Sequence, residues 1–421
     1  MNETPSIDIV GLAGAFSYAL DCIEAELVHI KSRHGKRVAY ISVRMAEYWA
    51  IQGDALQDLA ICALLHDNAL TQYISEELQA QSEQENAQDK SNLHCVYGEK
   101  NIACLPFKTD VSNVILYHHE NADGTGPFHK TWQEIPLFAR IIHFADMVDI
   151  IGSRKEMPDE SWEMVERYLS KNRTHLFDEE CIEAFYKAFS KEDFTALSED
   201  NLESRLWEMV PREKYTVDLE TCKHVADFFA RIVDYKSSFT SRHSIGVAEK
   251  AAAYARYIGY SDMDVQKMYL AGALHDIGKM AIGNDILEKP DKLTDEEFSR
   301  MKNHAGFTYL ILSEVHDFEE IRDWAAFHHE KLNGRGYPFG KTAAELNEPE
   351  RIMACVDIYQ ALTEDRPYKK GLSHEQTCDM LDDMAAKGFI DADISRKMRI
   401  CFGRSGGASV SGKKTKKYSG G

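Results

Sequence analysis

The sequence predicts a mainly helical protein made of two similar halves, and three observations carry this prediction. The chain has 421 residues, too many for one compact domain of ordinary size and enough for two of roughly 150 to 200 residues. Apolar residues recur at intervals of three and four, whereas alternating strand-like runs are nearly absent. A set of His and Asp residues in the first half recurs 209 to 211 residues later, which indicates an internal duplication.

The duplicated positions all carry side chains that can bind a metal ion. The set in the first half is His34, His66, Asp67, His94, His118, His119 and Asp146, and its counterpart is His243, His275, Asp276, His304, His328, His329 and Asp357. A single His-Asp pair means little in a chain of this length, and a single His is usually structural. The functional prediction therefore depends on the whole set.

The first half is expected to consist of helices and one polar insertion. Residues 9–20 predict a core helix, since the acidic Asp8 precedes them where a signal peptide would carry basic residues. Further helices are expected to begin near His34, to cover residues 55–67, to end at residues 117–120 and to carry Asp146. The glutamine-rich residues 76–92 predict a solvated extension or a loop without chemistry.

The second half repeats this order after a connecting region. Residues 159–214 are charged and helical in period, and they predict helices that connect the two halves. The pattern restarts at Asp218, and Ser261 is expected to cap the helix that leads to His275. The final residues are rich in Gly, Ser and Lys and predict a disordered tail. The expected division of the chain is a first domain at residues 1–157, connecting helices at 158–217, a second domain at 218–402 and a disordered tail at 403–421.

Charge and cysteine usage limit the classes of partner. The formal net charge is −20, which disfavours duplex nucleic acid and an anionic membrane, so a phosphate ligand needs a local cationic site. The nine cysteines are scattered singly, with neither a Cys-x-x-Cys pair nor a disulfide-like spacing. A reducing, cytoplasmic location is therefore expected.

The set in the second half suits a pair of metal ions. It offers five imidazoles and two carboxylates near helix ends and no sulfur, so two ions could share one carboxylate. This donor set favours iron or manganese, although affinity alone could admit zinc or nickel. Two such ions roughly 3.5 to 4 Å apart can hold a bridging water, lower its pKa and polarise a phosphoryl oxygen, which predicts phosphoester hydrolysis.

Three further features of the second half suit a phosphate ligand. Lys279 could offset the negative charge that develops on a phosphoryl group, and otherwise it is a surface lysine. The glycines among residues 333–338 would let the backbone turn sharply beside His329, although such a loop could also be a simple helix end. Residues 365–370 combine three cations and an aromatic ring, which suits a phosphate and a stacked base but also fits a solvated run of charges.

With these residues assembled, the second half resembles an HD-GYP domain. The resemblance covers roughly residues 218–401 and rests on His275-Asp276-Ile277-Gly278-Lys279, on residues 328–338 and on residues 356–370. It implies an all-α fold of two HD-type bundles in tandem, joined by connecting helices. It also implies a metal-dependent phosphodiesterase that opens cyclic dinucleotides, which are cyclic di-GMP for most members of the family and 3′,3′-cyclic GMP-AMP for some.

The resemblance implies a role for each matching position. Two divalent metal ions are expected, the first held by His243, His275, Asp276 and Asp357 and the second by Asp276, His304, His328 and His329. The expected catalytic residues are Asp276 and Lys279, and the expected substrate-binding residues are Gly336, Tyr337, Arg366 and Lys369. Members with a third metal have Glu four residues before the first His, where this chain has Phe239, so we expect two.

The first half keeps its metal-binding set but differs around it, and so it resembles a degenerate HD domain. It has Leu70 at the position of Lys279, Pro127-Phe128 at the position of Tyr337-Pro338, and no counterpart of residues 366–368 near Arg154. Phosphate binding is expected to suffer most from these changes. We therefore expect a role in regulation, dimerisation or structure, while a bound metal and a second phosphohydrolase activity stay open.

Two other functions fit the same residues. The protein could be a cyclic dinucleotide sensor that signals to a partner without turnover, or a broader nucleotide phosphohydrolase that acts through its first half. Tight binding without hydrolysis would favour the sensor, and phosphate release from nucleoside monophosphates by residues 1–215 would favour the phosphohydrolase. The sequence leaves open the base preference, the input signal, and whether the chain forms a homodimer or binds a signalling protein.

Overall fold

The computed structural model is almost entirely helical. It describes residues 6–28, 33–70, 72, 92–153, 158–198, 201–236, 243–289, 291–365 and 370–405. The helices of the first half are α1 (Ile9–Val28), α2 (His34–Ala46), α3 (Gly53–Leu64), α4 (Leu93–Ile102) and α5 (Leu137–Gly152). The connecting helices are α6 (Pro158–Asn172), α7 (Glu179–Ala188), α8 (Lys191–Thr195) and α9 (Leu202–Met209).

The helices that carry or lead to the repeated His and Asp residues occur in the same order in the second half, which also has further helices. Its helices are α10 (Leu219–Tyr235), α11 (His243–Ile258), α12 (Asp262–Leu274), α13 (Asn284–Leu287), α14 (Asp295–Leu312), α15 (Glu319–Ala326), α16 (Glu348–Thr363), α17 (His374–Ala386) and α18 (Ala392–Ser405). Short 3₁₀ segments cover Glu47–Trp49, Ala196–Ser198 and Ile277–Ala281. The predicted all-α fold of two tandem halves joined by connecting helices is confirmed.

One pair of short strands occurs in the part of the chain that the structure describes. Strand β1 (Ser6–Ile7) pairs antiparallel with β2 (Tyr215–Thr216), so the start of α1 is joined to the segment before α10. Among the described helices, none combines the length and the apolarity needed to cross a bilayer.

Side-chain caps define the starts of five helices in the part of the second half that the structure describes, among them α12, α14 and α16. Ser261 accepts a hydrogen bond from the backbone N–H of Asp264 at the start of α12, as the sequence predicted. Capping boxes start α14 at Thr294 and α16 at Asn347. Helices α12, α14 and α16 each carry a candidate metal ligand or lead directly to one.

The helix predicted to end at His118 is absent, and this prediction was wrong. Residues 112–119 form consecutive turns instead. The Glu99 carboxylate accepts hydrogen bonds from the backbone N–H groups of Asn113 and Leu116, and Asn113 adopts a left-handed φ of 65°. Both features divert backbone donors from helical pairing.

Two predicted element boundaries differ from the structure, and several predicted positions lie outside the residues that it describes. Helix α3 ends at Leu64, so His66 and Asp67 lie in the turn that follows. Helix α18 continues to Ser405, within the expected tail. Phe239, Arg154, Arg366, Lys369, most of the glutamine-rich tract and residues 406–421 lie outside the described residues.

The main hydrophobic core runs through both halves, and two small clusters lie beside it among the described residues of the second half. Helix α1 packs against α2 and α3 of its own half and also against α14 and the Ile277–Ala281 segment of the other half. The rings of Phe16 in α1 and Phe229 in α10 have centroids 4.0 Å apart. The two halves are therefore similar in sequence order but do not have separate cores.

A buried lysine that contacts two partly exposed carboxylates also joins the halves. The Lys36 side chain is 2% exposed, and its Nζ lies 2.7 Å from a Glu203 oxygen and 2.8 Å from a Glu314 oxygen. We expect Lys36→Met to lower the free energy of unfolding by about 2 kcal/mol, because Met keeps the aliphatic contacts but the carboxylates lose their cation. The loss is moderate because both carboxylates are about a third exposed and regain hydration. Urea unfolding measures it.

The matched control for this prediction is Lys130→Met. Lys130 pairs with Glu134 on the surface, where both side chains are at least a third exposed. Such a pair contributes little, so the control is expected to leave the free energy of unfolding nearly unchanged. Equal urea midpoints for the two variants would contradict the role given to Lys36.

Candidate metal centre

Contacts with α14 position His275 and Asp276 at the end of α12. The Thr308 hydroxyl donates to the carbonyl oxygen of His275 at 2.9 Å and accepts the N–H of Gly278 at 3.1 Å. A Cβ on Gly278 would lie 1.9 Å from the carbonyl oxygen of His304, so this close approach requires glycine. The His-Asp pair is thereby held against the helix that carries His304.

The predicted ligands of the second half form two groups around Asp276. Its Oδ2 lies 3.1 Å from His275 Nε2, while its Oδ1 lies 3.6 Å from His304 Nε2 and 4.0 Å from His328 Nε2. The two oxygens of one carboxylate thus face different imidazoles. This arrangement suits a carboxylate that is shared by two metal ions.

Asp357 and the remaining histidines complete the two groups. His243 Nε2 lies 3.1 Å from Asp357 Oδ1, and His275 Nε2 lies 3.8 Å from the same oxygen. His329 Nδ1 lies 3.9 Å from Asp357 Oδ2, so His329 borders both groups. The structure therefore brings together all seven predicted metal-binding residues of the second half.

Hydrogen bonds to the backbone direct imidazole lone pairs into the cluster. The Nδ1 atoms of His275, His304 and His328 lie 2.8, 2.7 and 2.6 Å from carbonyl oxygens three residues earlier. Each Nδ1 carries a proton and donates it, which leaves a lone pair on Nε2. His275 Nε2 is buried without a hydrogen-bond partner, and the Nε2 atoms of His304 and His328 face each other at 3.4 Å. These Nε2 lone pairs are suited to bind divalent metal ions.

Burial sets the protonation of these imidazoles. It lowers the pKa of His304 to about 3, and it also lowers the pKa of His328 and His329. These three imidazoles are therefore neutral, as metal binding requires. Burial opposes the charge on His243 as well, but hydrogen bonds to carboxylates, that of Asp357 first, outweigh it and raise the pKa of His243 to about 10. A metal ion at this position must displace a proton.

Lys279 is the cation nearest the Asp276 carboxylate in the described second half. Its Nζ lies 2.6 Å from Asp276 Oδ2. Burial opposes its charge, but the Asp276 carboxylate outweighs burial and raises the pKa of Lys279. The other two predicted phosphate-binding cations, Arg366 and Lys369, are outside the described residues.

The loop after His329 forms one border of the site. The rings of Tyr337 and His329 have centroids 4.7 Å apart. A Cβ on Gly336 would lie 2.4 Å from the Cα of Glu330, so glycine is required there. The buried Glu330 carboxylate accepts hydrogen bonds from three backbone N–H groups, those of residues 339, 340 and 341. Glu330 therefore holds the loop beside the metal-binding cluster.

The first half reproduces the arrangement around Asp67. Its Oδ2 lies 3.4 Å from His66 Nε2, and its Oδ1 lies 3.8 Å from His94 Nε2 and 3.7 Å from His118 Nε2. The Nε2 atoms of His66 and His118 are buried without hydrogen-bond partners. These residues therefore also fit a metal ion.

The other candidates of the first half join this cluster in different surroundings. His34 Nε2 lies 3.3 Å from Asp146 Oδ1, and the donor atom of His119 lies in the same group as that of His94. Asp149, which the sequence did not identify, accepts a hydrogen bond from His34 Nδ1 at 2.7 Å. Leu70 replaces the lysine, so this position supplies no cation for a phosphate.

Several side chains that organise the two sites were not predicted as functional. They are Glu120, Asp149, Thr308, Glu330 and Glu364, together with Cys95 inside the first cluster. Glu120 and Glu330 are 210 residues apart, the offset of the histidines, so the repeat could have identified them. Cys95 has no such signal, because the matching residue is Ala305.

Comparison with known proteins agrees with this fold. The family model described as HD domain matches residues 20–178 and 227–394. A 3′3′-cGAMP-specific phosphodiesterase of Vibrio cholerae is 28% identical over 400 residues, which cover 89% of this chain and 88% of that protein. A cyclic di-GMP phosphodiesterase of Pseudomonas aeruginosa is 41% identical over 134 residues, 32% of each chain. The crystal structure of a cyclic GMP-AMP specific phosphodiesterase of V. cholerae matches with a TM-score of 0.66 at 22% identity, over 95% of this chain and 98% of that one.

Proposed function

The chain belongs to the HD domain family, whose domain it contains twice, and from this premise we propose that its second half is a metal-dependent phosphodiesterase. The substrate is a cyclic dinucleotide, which the enzyme opens to a linear dinucleotide. The observation that carries the proposal is the Asp276 carboxylate, whose two oxygens face two groups of imidazoles. The names of the relatives, which are cyclic dinucleotide phosphodiesterases, support the substrate class.

Two divalent metal ions would be held in the second half by the seven residues grouped around Asp276. One ion would bind to His243, His275, Asp276 and Asp357, and the other to Asp276, His304, His328 and His329. Metal ions at such a site supply a water of lowered pKa and polarise a phosphoryl oxygen. Iron or manganese is the proposed metal, because the donors are nitrogen and oxygen only.

The residues around the metal ligands would bind and orient the substrate. Lys279, now 2.6 Å from Asp276, is placed to meet a phosphate oxygen next to the shared carboxylate. Tyr337, beside His329, offers a ring against which a base can stack. Gly336 allows that loop its close approach, and Arg366 and Lys369 are proposed to bind the phosphates.

The experiment that tests this proposal offers several substrates at once. The anaerobically purified, iron- or manganese-loaded protein is incubated with equal amounts of cyclic di-GMP, cyclic di-AMP and 3′,3′-cyclic GMP-AMP, and each is followed by chromatography. We expect cyclic di-GMP, 3′,3′-cyclic GMP-AMP or both to be opened, and their relative rates give the base preference. Binding without hydrolysis by the metal-loaded protein would instead favour a cyclic dinucleotide sensor.

The first half is proposed to be regulatory or structural instead of catalytic for this substrate. We expect the double variant His66→Ala, Asp67→Ala to keep cyclic dinucleotide turnover within about threefold of the wild type, because the second half holds a complete set of its own. Initial rates measure this, with circular dichroism as the folding control. Loss of most turnover in a folded variant would contradict the assignment.

The remaining features of the proposal concern organisation. We propose the division into residues 1–157, 158–217, 218–402 and 403–421, together with a homodimer or a signalling-protein partner. The nine free cysteines support a reducing, cytoplasmic location. Sedimentation of the purified protein at several concentrations measures its oligomeric state.

A further inference from the structure

Cys95 adds a sulfur donor to the cluster of the first half. Its Sγ lies 3.4 Å from His94 Nε2, and the donor atoms of His94, Cys95, His118 and His119 all lie within 4.8 Å of one another. Cys95 and His118 are both fully buried. The residue that matches Cys95 in the second half is Ala305, which is equally buried. Sulfur is therefore specific to the first cluster.

A buried cysteine often serves only as a small apolar side chain, so the sulfur needs independent support as a ligand. That support comes from His118. Its Nδ1 lies 2.6 Å from the carbonyl oxygen of Ile115 and donates to it, so its Nε2 lone pair faces the cluster. This Nε2 is buried without a hydrogen-bond partner. An unpaired polar atom costs free energy, which a bound cation would recover.

We propose that the first half binds one zinc ion through the imidazoles of His94, His118 and His119 and the thiolate of Cys95. Thiolate and imidazole together select zinc over the harder ions that carboxylate-rich sites take. In tetrahedral geometry, bonds of about 2.0 to 2.1 Å to nitrogen and about 2.3 Å to sulfur separate the two donors by about 3.6 Å. The 3.4 Å between Cys95 Sγ and His94 Nε2 is close to this value.

This site differs in chemistry from the one in the second half. Four protein donors would complete a tetrahedral coordination of the zinc ion, as in structural zinc sites. Asp67 Oδ1, 3.8 Å from His94 Nε2 and 3.7 Å from His118 Nε2, would then lie outside the ligand set as a neighbouring anion. Cys95 binds as the thiolate and releases its proton to solvent. One chain thus carries a structural zinc site and a separate nitrogen- and oxygen-ligated pair, and the zinc would order the first half whether or not the second half is active.

Cobalt substitution tests the thiolate ligand in the full-length protein. The second-half set contains no sulfur, so a sulfur-to-cobalt charge-transfer band in the near ultraviolet cannot come from that set, and its dependence on Cys95 assigns it to the first site. We expect this band in the cobalt-loaded wild type and its loss in Cys95→Ser. The matched control is Cys62→Ala, which removes another buried cysteine of the same half and should keep the band. Absence of the band in the wild type, or its persistence in Cys95→Ser, would overturn the proposal.

Zinc affinity and X-ray absorption give measurements that do not depend on cobalt. Cys95→Ser is expected to weaken zinc binding by more than about 100-fold, since even outer-shell changes cost 10- to 100-fold. Zinc absorption spectra of a His275→Ala, Asp276→Ala variant should show one sulfur at about 2.3 Å. A shell of nitrogen and oxygen alone would exclude Cys95 as a ligand. None of these readouts requires cyclic dinucleotide turnover, so they stand apart from the proposed activity.

Discussion

Asp276→Ala is expected to lower cyclic dinucleotide turnover by about 10³-fold or more. The carboxylate is buried, and its two oxygens face His275 on one side and His304 with His328 on the other. Its removal takes one ligand from both proposed metal ions and separates Lys279 from its anionic partner. Metal catalysis contributes several kcal/mol to the barrier, and each 1.4 kcal/mol corresponds to a factor of ten in rate. Initial rates at matched metal loading measure the effect.

Two further variants make this result specific to the shared carboxylate. Asp276→Asn keeps the shape and one oxygen, so it should fall between the wild type and Asp276→Ala in both metal content and rate. Asp285→Ala removes an exposed carboxylate from the same half and should leave the rate within about twofold. A folded Asp276→Ala protein with more than a tenth of the wild-type rate would contradict the bridging role.

Gly278→Ala is expected to destabilise the protein by about 3 kcal/mol and to abolish the cyclic dinucleotide turnover. The added Cβ would lie 1.9 Å from the carbonyl oxygen of His304 and 2.6 Å from the backbone nitrogen of Thr308. Both atoms belong to the backbone of α14, so the helix must move and carry the His304 imidazole away from Asp276. Overpacking typically costs 1 to 3 kcal/mol, and a rigid backbone neighbour places this variant at about the upper end. Urea unfolding and initial rates measure the two effects.

The control for this prediction is Gly306→Ala, in the same helix as His304. The nearest atom to its added Cβ is Cβ of Pro338 at 3.8 Å, an ordinary van der Waals contact. Alanine in a helix interior is more stable than glycine by about 0.5 to 1 kcal/mol, so this variant should be neutral or more stable. If both variants unfolded at the same urea concentration, the close approach of Gly278 to α14 would not be a constraint on the site.

The repeated spacing was sufficient to predict which His and Asp residues lie together in each half, but not that Cys95 lies among those of the first half. His66 and Asp67 match His275 and Asp276 in the duplication, and each pair lies just beyond the end of the corresponding helix. The helical period gave the element type correctly for most of the chain, since burial of one helix face is a local property of the sequence. It did not predict the turns before His118, where the Glu99 side chain competes for backbone donors.

The sequence by itself therefore determined the all-α class, the duplication and the residue types that can bind metal. Tertiary structure alone decided which oxygen of Asp276 faces which imidazole, that Lys36 joins the halves through Glu314, and that Cys95 enters the first cluster. The physical reason is that periodicity reports the burial of one element at a time. Contacts between side chains that are distant in sequence depend on how helices pack, and one helix gives no information about its neighbours.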